Sequence, residues 1–275
     1  MRKLLEHLAY SNTVVAGSAA ALALTHSIRF PHVPASYALM VFLATLAAYG
    51  YMHLSGSFGG GTKAEHPVLA YTARHSSFLQ LISGISALLA LGLLVGMHLH
   101  SALWLLPALV SSALYPSTRF WRKGLRSYPR LKLPLIALNW SWVCAFVPLY
   151  TADAPLGLIL LRSLFVFFWI GSLAIAFDIR DLEFDDSSIQ TRAQRGRSDA
   201  LRLAQLSNLI AYCLLLTEHS LFSSCGSCVL FVLVPGLLTA WGLRRINDRS
   251  DPLFISFHME ALPILLAMMI WIVQP

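Results

Sequence analysis

Charge is what this 275-residue chain has least of: Asp, Glu, Lys and Arg make up 12% of it, against roughly a quarter in ordinary soluble domains. Acids are scarcest, 13 against 20 Lys and Arg. No polar stretch is long enough to fold around a core of its own, and the period-2 alternation of barrel strands is missing. These absences exclude a soluble globular domain and a membrane β-barrel. Cysteine is sparse too, four in all. Cys144 and Cys213 fall inside apolar runs, as small inert residues do. Cys225-Gly-Ser-Cys228 reads either as small residues at a helix start or as a redox pair, with no metal partner beside it.

What is present is hydrophobic sequence, 57% of residues with a mean hydropathy of +0.65, arranged in repeated runs rich in Leu and Ala. A bilayer core needs roughly 20 mostly apolar residues per helix. The runs predict an all-α, polytopic membrane helical bundle of nine transmembrane helices: 12–28, 35–54, 76–97, 99–114, 133–151, 155–177, 200–217, 227–243 and 253–273. They form a single membrane domain over 1–275. Only His98 to Ser101 separates the third run from the fourth. With a cytoplasmic N-terminus, nine spans put 18 of the 20 Lys and Arg on the cytoplasmic side, leaving Arg29 and Arg162 outside. Positive residues stay inside, so this asymmetry supports the odd count and the orientation. Arg2 and Lys3 before an apolar run also fit a cleaved signal peptide. Cleavage would leave eight spans, so a retained first helix is expected.

The net charge of +7 then reads as topology and attraction to the lipid bilayer. Its basic residues are divided among short loops, which argues against nucleic acid. The longer loops, roughly 55–75, 115–132, 178–199 and 244–252, all fall on the expected cytoplasmic side, so loop chemistry should face the cytoplasm. Gly56 to Lys63 (GSFGGGTK) fails as a phosphate loop, because Thr62-Lys63 stands in the wrong order and no strand precedes it.

Five of the 13 acids fall within nine residues, at Asp178, Asp181, Glu183, Asp185 and Asp186. At about 100° per residue, a continued helix puts Asp178, Asp181 and Asp185 on one face, with Arg180 and Glu183 roughly opposite. Three carboxylates on one face repel one another unless a cation sits there. One reading is a solvated helix end balanced by Arg180, Arg192 and Arg195. The other is a Mg²⁺ site, since this hard ion takes one or two carboxylates plus substrate phosphates.

The segment 178–185 (DIRDLEFD) resembles the second aspartate motif of the UbiA superfamily of intramembrane prenyltransferases, Asp-Ile-x-Asp-x-x-x-Asp. Thr191 and Gly196 resemble the family's Thr and Gly just downstream. Tyr115-Pro116 with following basic residues, then Leu131-Lys132 and Trp140, are similar to the family around its fourth and fifth helices. The resemblance implies two four-helix halves plus a ninth helix, each half bearing an aspartate motif, together holding Mg²⁺ and a polyprenyl diphosphate. It implies transfer of the polyprenyl group to an aromatic or other hydrophobic acceptor, at a site facing the cytoplasm of a bacterial membrane. Carried over, Asp178, Asp181 and Asp185 are metal ligands, with Asp181 central to catalysis. Arg119, Lys123, Tyr115, His53 and Tyr49 are substrate-binding candidates.

The family's first motif, Asn-x-x-x-Asp-x-x-x-Asp, has no acidic counterpart here. Tyr49, His53 and Ser57 occupy the corresponding positions, and His is a poor Mg²⁺ ligand. One Mg²⁺ with cationic side chains could still stabilise a departing diphosphate. A non-catalytic isoprenoid-binding or assembly protein on the same scaffold is the alternative, and a transporter a third. Three further features stay open: Glu260 within the last span, Asn139 in the fifth, and the aromatic run Phe165 to Trp169, which could be lipid-facing, packed, or lining a prenyl channel.

Overall fold

Proline and small residues shape much of this bundle, and the fifth apolar segment shows how. The computed structural model describes residues 2–26, 33–55, 67–97, 99–116, 124–182, 196–222, 228–246 and 251–273. Its elements are α1 (Arg2–Tyr10), α2 (Thr13–Leu24), α3 (Ala35–Leu54), α4 (Pro67–Arg74), α5 (Ser76–Val95), α6 (Leu99–Leu114), α7 (Pro129–Ser141), α8 (Val147–Thr151), α9 (Leu156–Arg180), α10 (Arg197–Phe222), α11 (Cys228–Arg245) and α12 (Pro252–Val273). A π-helical turn, Trp142–Phe146, joins α7 to α8. Pro148 causes that widening: it has no N–H for the carbonyl of Cys144, and its ring crowds that carbonyl. His26 Nε2 donates to the Cys144 carbonyl instead (2.8 Å), and the Tyr37 hydroxyl donates to the Val143 carbonyl (2.6 Å). The turn after α2 and helix α3 thus satisfy backbone groups that the proline frees.

The apolar segments close into a ring. α2 packs on α3, α3 on α5, α5 on α6, α6 on α7, α7 on α9, α9 on α10, α10 on α11, α11 on α12, and α12 back on α2. Contacts are sparsest on either side of α6. Where helices approach closely, a small residue permits it: a Cβ on Gly50 of α3 would lie 2.9 Å from Ser83 Cβ of α5, and one on Gly236 of α11 would lie 2.6 Å from the Tyr212 ring of α10.

Among the described residues six helical segments are long and apolar enough to cross a membrane: Ala35–Leu54, Ser76–Val95, Arg130–Thr151, Leu156–Arg180, Arg197–Phe222 and Pro252–Ile272. Their outward faces carry large apolar side chains, among them Leu88 at 72% and Val95 at 78% exposure. Water would not tolerate so continuous an apolar belt, and the chain is an integral, multi-pass membrane protein.

The expected loop over 55–75 contains a helix, α4. Pro67 at its first position is pre-set for helical φ, and Val68 packs with Ala9, Tyr10 and Leu253. Helices α1 and α4 are amphipathic and far too short to span, so a search for apolar runs passes over them. Asn12, with φ at 65°, turns the chain between α1 and α2, a backbone region that Asn tolerates. The two ends of the aromatic run are core: Phe165 and Trp169 are buried, stacked at 5.5 Å and set edge-on to Tyr212, while Phe167 and Phe168 are half-buried.

Candidate functional site

A cavity of about 1090 Å³ penetrates the bundle. Small residues make the room: Ala44, Ala47 and Ala48 on α3, Gly84 and Ala87 on α5, and Ala108 on α6 all line it. It reaches the lipid-facing side where contacts are sparsest, since Leu91 and Leu109 line it and are also well exposed. Its wall is apolar over most of its extent and polar at one end.

Several elements build that polar end. Asp178 lies on the last turn of α9, and Asp181 immediately follows its last residue. Lys132 Nζ meets Asp178 Oδ1 at 2.5 Å from α7, with both side chains under a tenth exposed. Arg180 grips Asp181 with two nitrogens, Nε to Oδ1 at 2.6 Å and Nη2 to Oδ2 at 3.1 Å, while Nη1 donates to Ser256 Oγ of α12 at 2.6 Å. Arg126, buried in the turn before α7, also lines the cavity. Gly124 allows that turn: a Cβ there would meet the backbone of Tyr115 and Pro116, and the Arg126 amide bonds to the Tyr115 carbonyl at 3.0 Å. Tyr49 and His53 enter from α3, their rings edge-on at 6.4 Å, and Tyr115 closes the same wall. From α1, Tyr10 lines the opening; burial raises its phenol above the ordinary value, so it stays a hydrogen-bond donor.

Five expected site residues, Asp178, Asp181, Tyr115, His53 and Tyr49, therefore line one cavity. Asp185, Arg119, Lys123 and Ser57 lie outside the described residues, as do Thr191 and Cys225. One expectation needs correction. Arg180, expected on the opposite face, lies on the cavity wall beside Asp181. The reason is that α9 ends at Arg180, and a long guanidinium at a helix end can fold back onto its neighbour. Among the described residues no group of three or more His, Cys, Asp and Glu that could hold a metal occurs, and Asp185, the third expected ligand, lies outside them.

Sequence reasoning missed Lys132, Arg126 and Arg180 as site residues. Lys132 was detectable as a charge at the mouth of an apolar run, where an unpaired ammonium is expensive. Of the open features, Asn139 Oδ1 accepts from Ser111 Oγ (2.7 Å), an interhelical bond at the cavity wall, and Glu260 lines the cavity as well.

No protein-family model matches the sequence, and no curated protein matches it. Solved structures match over nearly the whole chain. A UbiA homologue from Archaeoglobus fulgidus bound to GPP and Mg²⁺ aligns with a TM-score of 0.69 at 14% identity, covering 98% of this chain and 99% of that one. The same homologue bound to DMAPP and Mg²⁺ aligns at 0.59, with 14% identity and 98% and 97% coverage. A digeranylgeranylglyceryl phosphate synthase aligns at 0.59, with 12% identity and 100% and 99% coverage. At such identities it is the fold that is shared, and this chain has the UbiA fold.

Proposed function

We propose, from that shared fold and from the charged end of an otherwise apolar cavity, that the protein transfers a polyprenyl group from its diphosphate to an aromatic or lipid acceptor within the membrane, with Mg²⁺. The carrying observation is the cavity itself. Its polar end sets Lys132, Arg126 and Arg180 beside Asp178 and Asp181, and its remaining wall suits a hydrocarbon chain. In this reading nine helices span the membrane with the N-terminus inside, so the charged end faces the cytoplasm. Arg162 agrees with this orientation despite lying outside, because Glu218 neutralises it with two hydrogen bonds, at 2.6 and 2.5 Å.

The donor set fits Mg²⁺ arriving with a diphosphate better than a preformed protein cage. Asp178 and Asp181 offer hard oxygen donors, and Mg²⁺ commonly takes one or two carboxylates and completes its shell with substrate phosphates and water. Asp185 joins this set as a proposed third ligand, and Arg119 and Lys123 are proposed further cations near the leaving group. When bound, Mg²⁺ neutralises charge on the departing diphosphate. The chain's own residues do the rest. Lys132 and Arg180 hold the two carboxylates in place before substrate binds, and their charge favours a diphosphate at the same rim. His53 and Tyr115 are placed to donate hydrogen bonds to it, and Tyr49 closes the wall behind. The apolar cavity excludes water, which would otherwise capture the allylic cation.

The missing acids of the first motif favour a second reading, an isoprenoid-binding protein without turnover. Membranes containing the protein, given radiolabelled geranyl, farnesyl or geranylgeranyl diphosphate and a panel of quinol and lipid acceptors, decide between them. Labelled product that vanishes on Mg²⁺ chelation supports transfer. Co-purified isoprenoid with no diphosphate release supports the binder.

A further inference from the structure

We infer that Glu260 is the residue that contacts the acceptor, and that the acceptor presents a hydroxyl group to it. This rests on the transferase reading above. Glu260 lies on α12, one turn beyond Ser256, the residue that anchors Arg180. Four residues at about 1.5 Å each put it about 6 Å further along the helix axis than Ser256. It lines the cavity, and its Oε2 is buried with no hydrogen-bond partner. A buried carboxylate oxygen without a donor is costly, and a chain that keeps one on a cavity wall invites a donor from a ligand.

Depth specifies which part of the ligand that is. In a prenyl diphosphate the reacting carbon, C1, is bonded to the diphosphate oxygen. With the diphosphate at the ion pairs, C1 falls just inside the rim, at the level of Glu260. The apolar tail continues past Ile170 and Leu173. A nucleophile attacking C1 must therefore stand beside this carboxyl group, whose unpartnered oxygen can accept a hydrogen bond from a hydroxyl. In the transfer, the bond from C1 to the diphosphate oxygen breaks and its electron pair leaves with the diphosphate. The acceptor oxygen bonds to C1, and the hydroxyl proton passes to Glu260 Oε2. Asp178 and Asp181 are poorly suited to this step, because Lys132 and Arg180 already engage them.

The test uses the full-length protein in lipid nanodiscs, with geranylgeranyl thiolodiphosphate as an inert donor analogue. Binding of geranylgeraniol is compared with that of its hydrocarbon lacking the hydroxyl. Wild type should prefer geranylgeraniol at least fivefold. Glu260→Leu should lose that preference, Glu260→Asp should keep part of it, and both should bind the donor analogue within threefold of wild type. Transfer from geranylgeranyl diphosphate to hydroxyl acceptors should fall at least 100-fold in Glu260→Gln and recover in part in Glu260→Asp. Unchanged hydroxyl preference in Glu260→Leu, or donor binding lost along with it, overturns the inference. Absence of turnover in wild type with the preference intact overturns the transferase reading alone.

Discussion

Among the described residues three ion pairs are largely buried in the bundle, yet two border the cavity and one does not. Lys132–Asp178 and Arg180–Asp181 form the polar end of the cavity, whereas Arg162–Glu218 joins α9 to α10 away from it. Arg162 and Asp178 share one helix, sixteen residues apart, or about 24 Å. In the outer pair two guanidinium nitrogens bond the two carboxylate oxygens, and neither side chain lines the cavity. Against the cavity, equally good pairs have an open side. Burial and pairing alone thus do not mark a site; access does.

Removing one member of each pair should break the comparison most visibly. Asp181→Ala should cut prenyl transfer at least about 100-fold, the scale of losing one preorganised electrostatic stabiliser, in an assay of labelled product per folded protein. Glu218→Gln should leave that activity unchanged while lowering stability, because a buried guanidinium without its carboxylate costs about 3–5 kcal/mol. Thermal unfolding in detergent reads this out. Wild-type activity in Asp181→Ala would remove Asp181 from the site, and lost activity in folded Glu218→Gln would erase the contrast between the regions.

Replacing both partners sharpens the point. Arg162→Leu with Glu218→Met should recover most of the lost stability, since apolar residues of similar volume often substitute for a buried pair. Lys132→Met with Asp178→Leu should recover stability as well, but not transfer. Recovery of transfer there would mean that neither residue meets substrate.

Smaller effects are expected where packing or a single neutral contact is at stake. Gly50→Ala puts a Cβ onto Ser83, an overpacking worth about 1–3 kcal/mol, and Ser83→Gly in the same chain should relieve it. His53→Ala should lower transfer about fivefold, the equivalent of one net hydrogen bond of about 1 kcal/mol. A drop as large as that of Asp181→Ala would give His53 a role beyond that contact.

Much of the architecture was legible because a bilayer imposes length and polarity on each segment separately. The runs at 35–54, 76–97 and 253–273 coincide within a few residues with α3, α5 and α12. The aspartate segment was legible for a related reason, since acids are rare enough here that five in a row of nine stand out. Arg180 was misplaced because a helical wheel assumes the helix continues, and α9 stops at that residue. Helices α1 and α4 were invisible to hydropathy because their apolar faces are only a few side chains wide, enough to pack Val68 against Tyr10 but not to register as a run.

By itself the sequence determined that the chain enters a membrane as helices, and that its acids gather where one helix ends. Both follow from local chemistry: apolar run length against bilayer thickness, and the cost of placing charge in lipid. Only the tertiary structure decided which charges meet. Lys132 reaches Asp178 across forty-six positions of chain, and Ser256 reaches Arg180 across seventy-six. Whether Glu260 faces lipid, protein or a cavity depended on the closing of α12 against α2, a contact between the two ends of the sequence that no local pattern encodes.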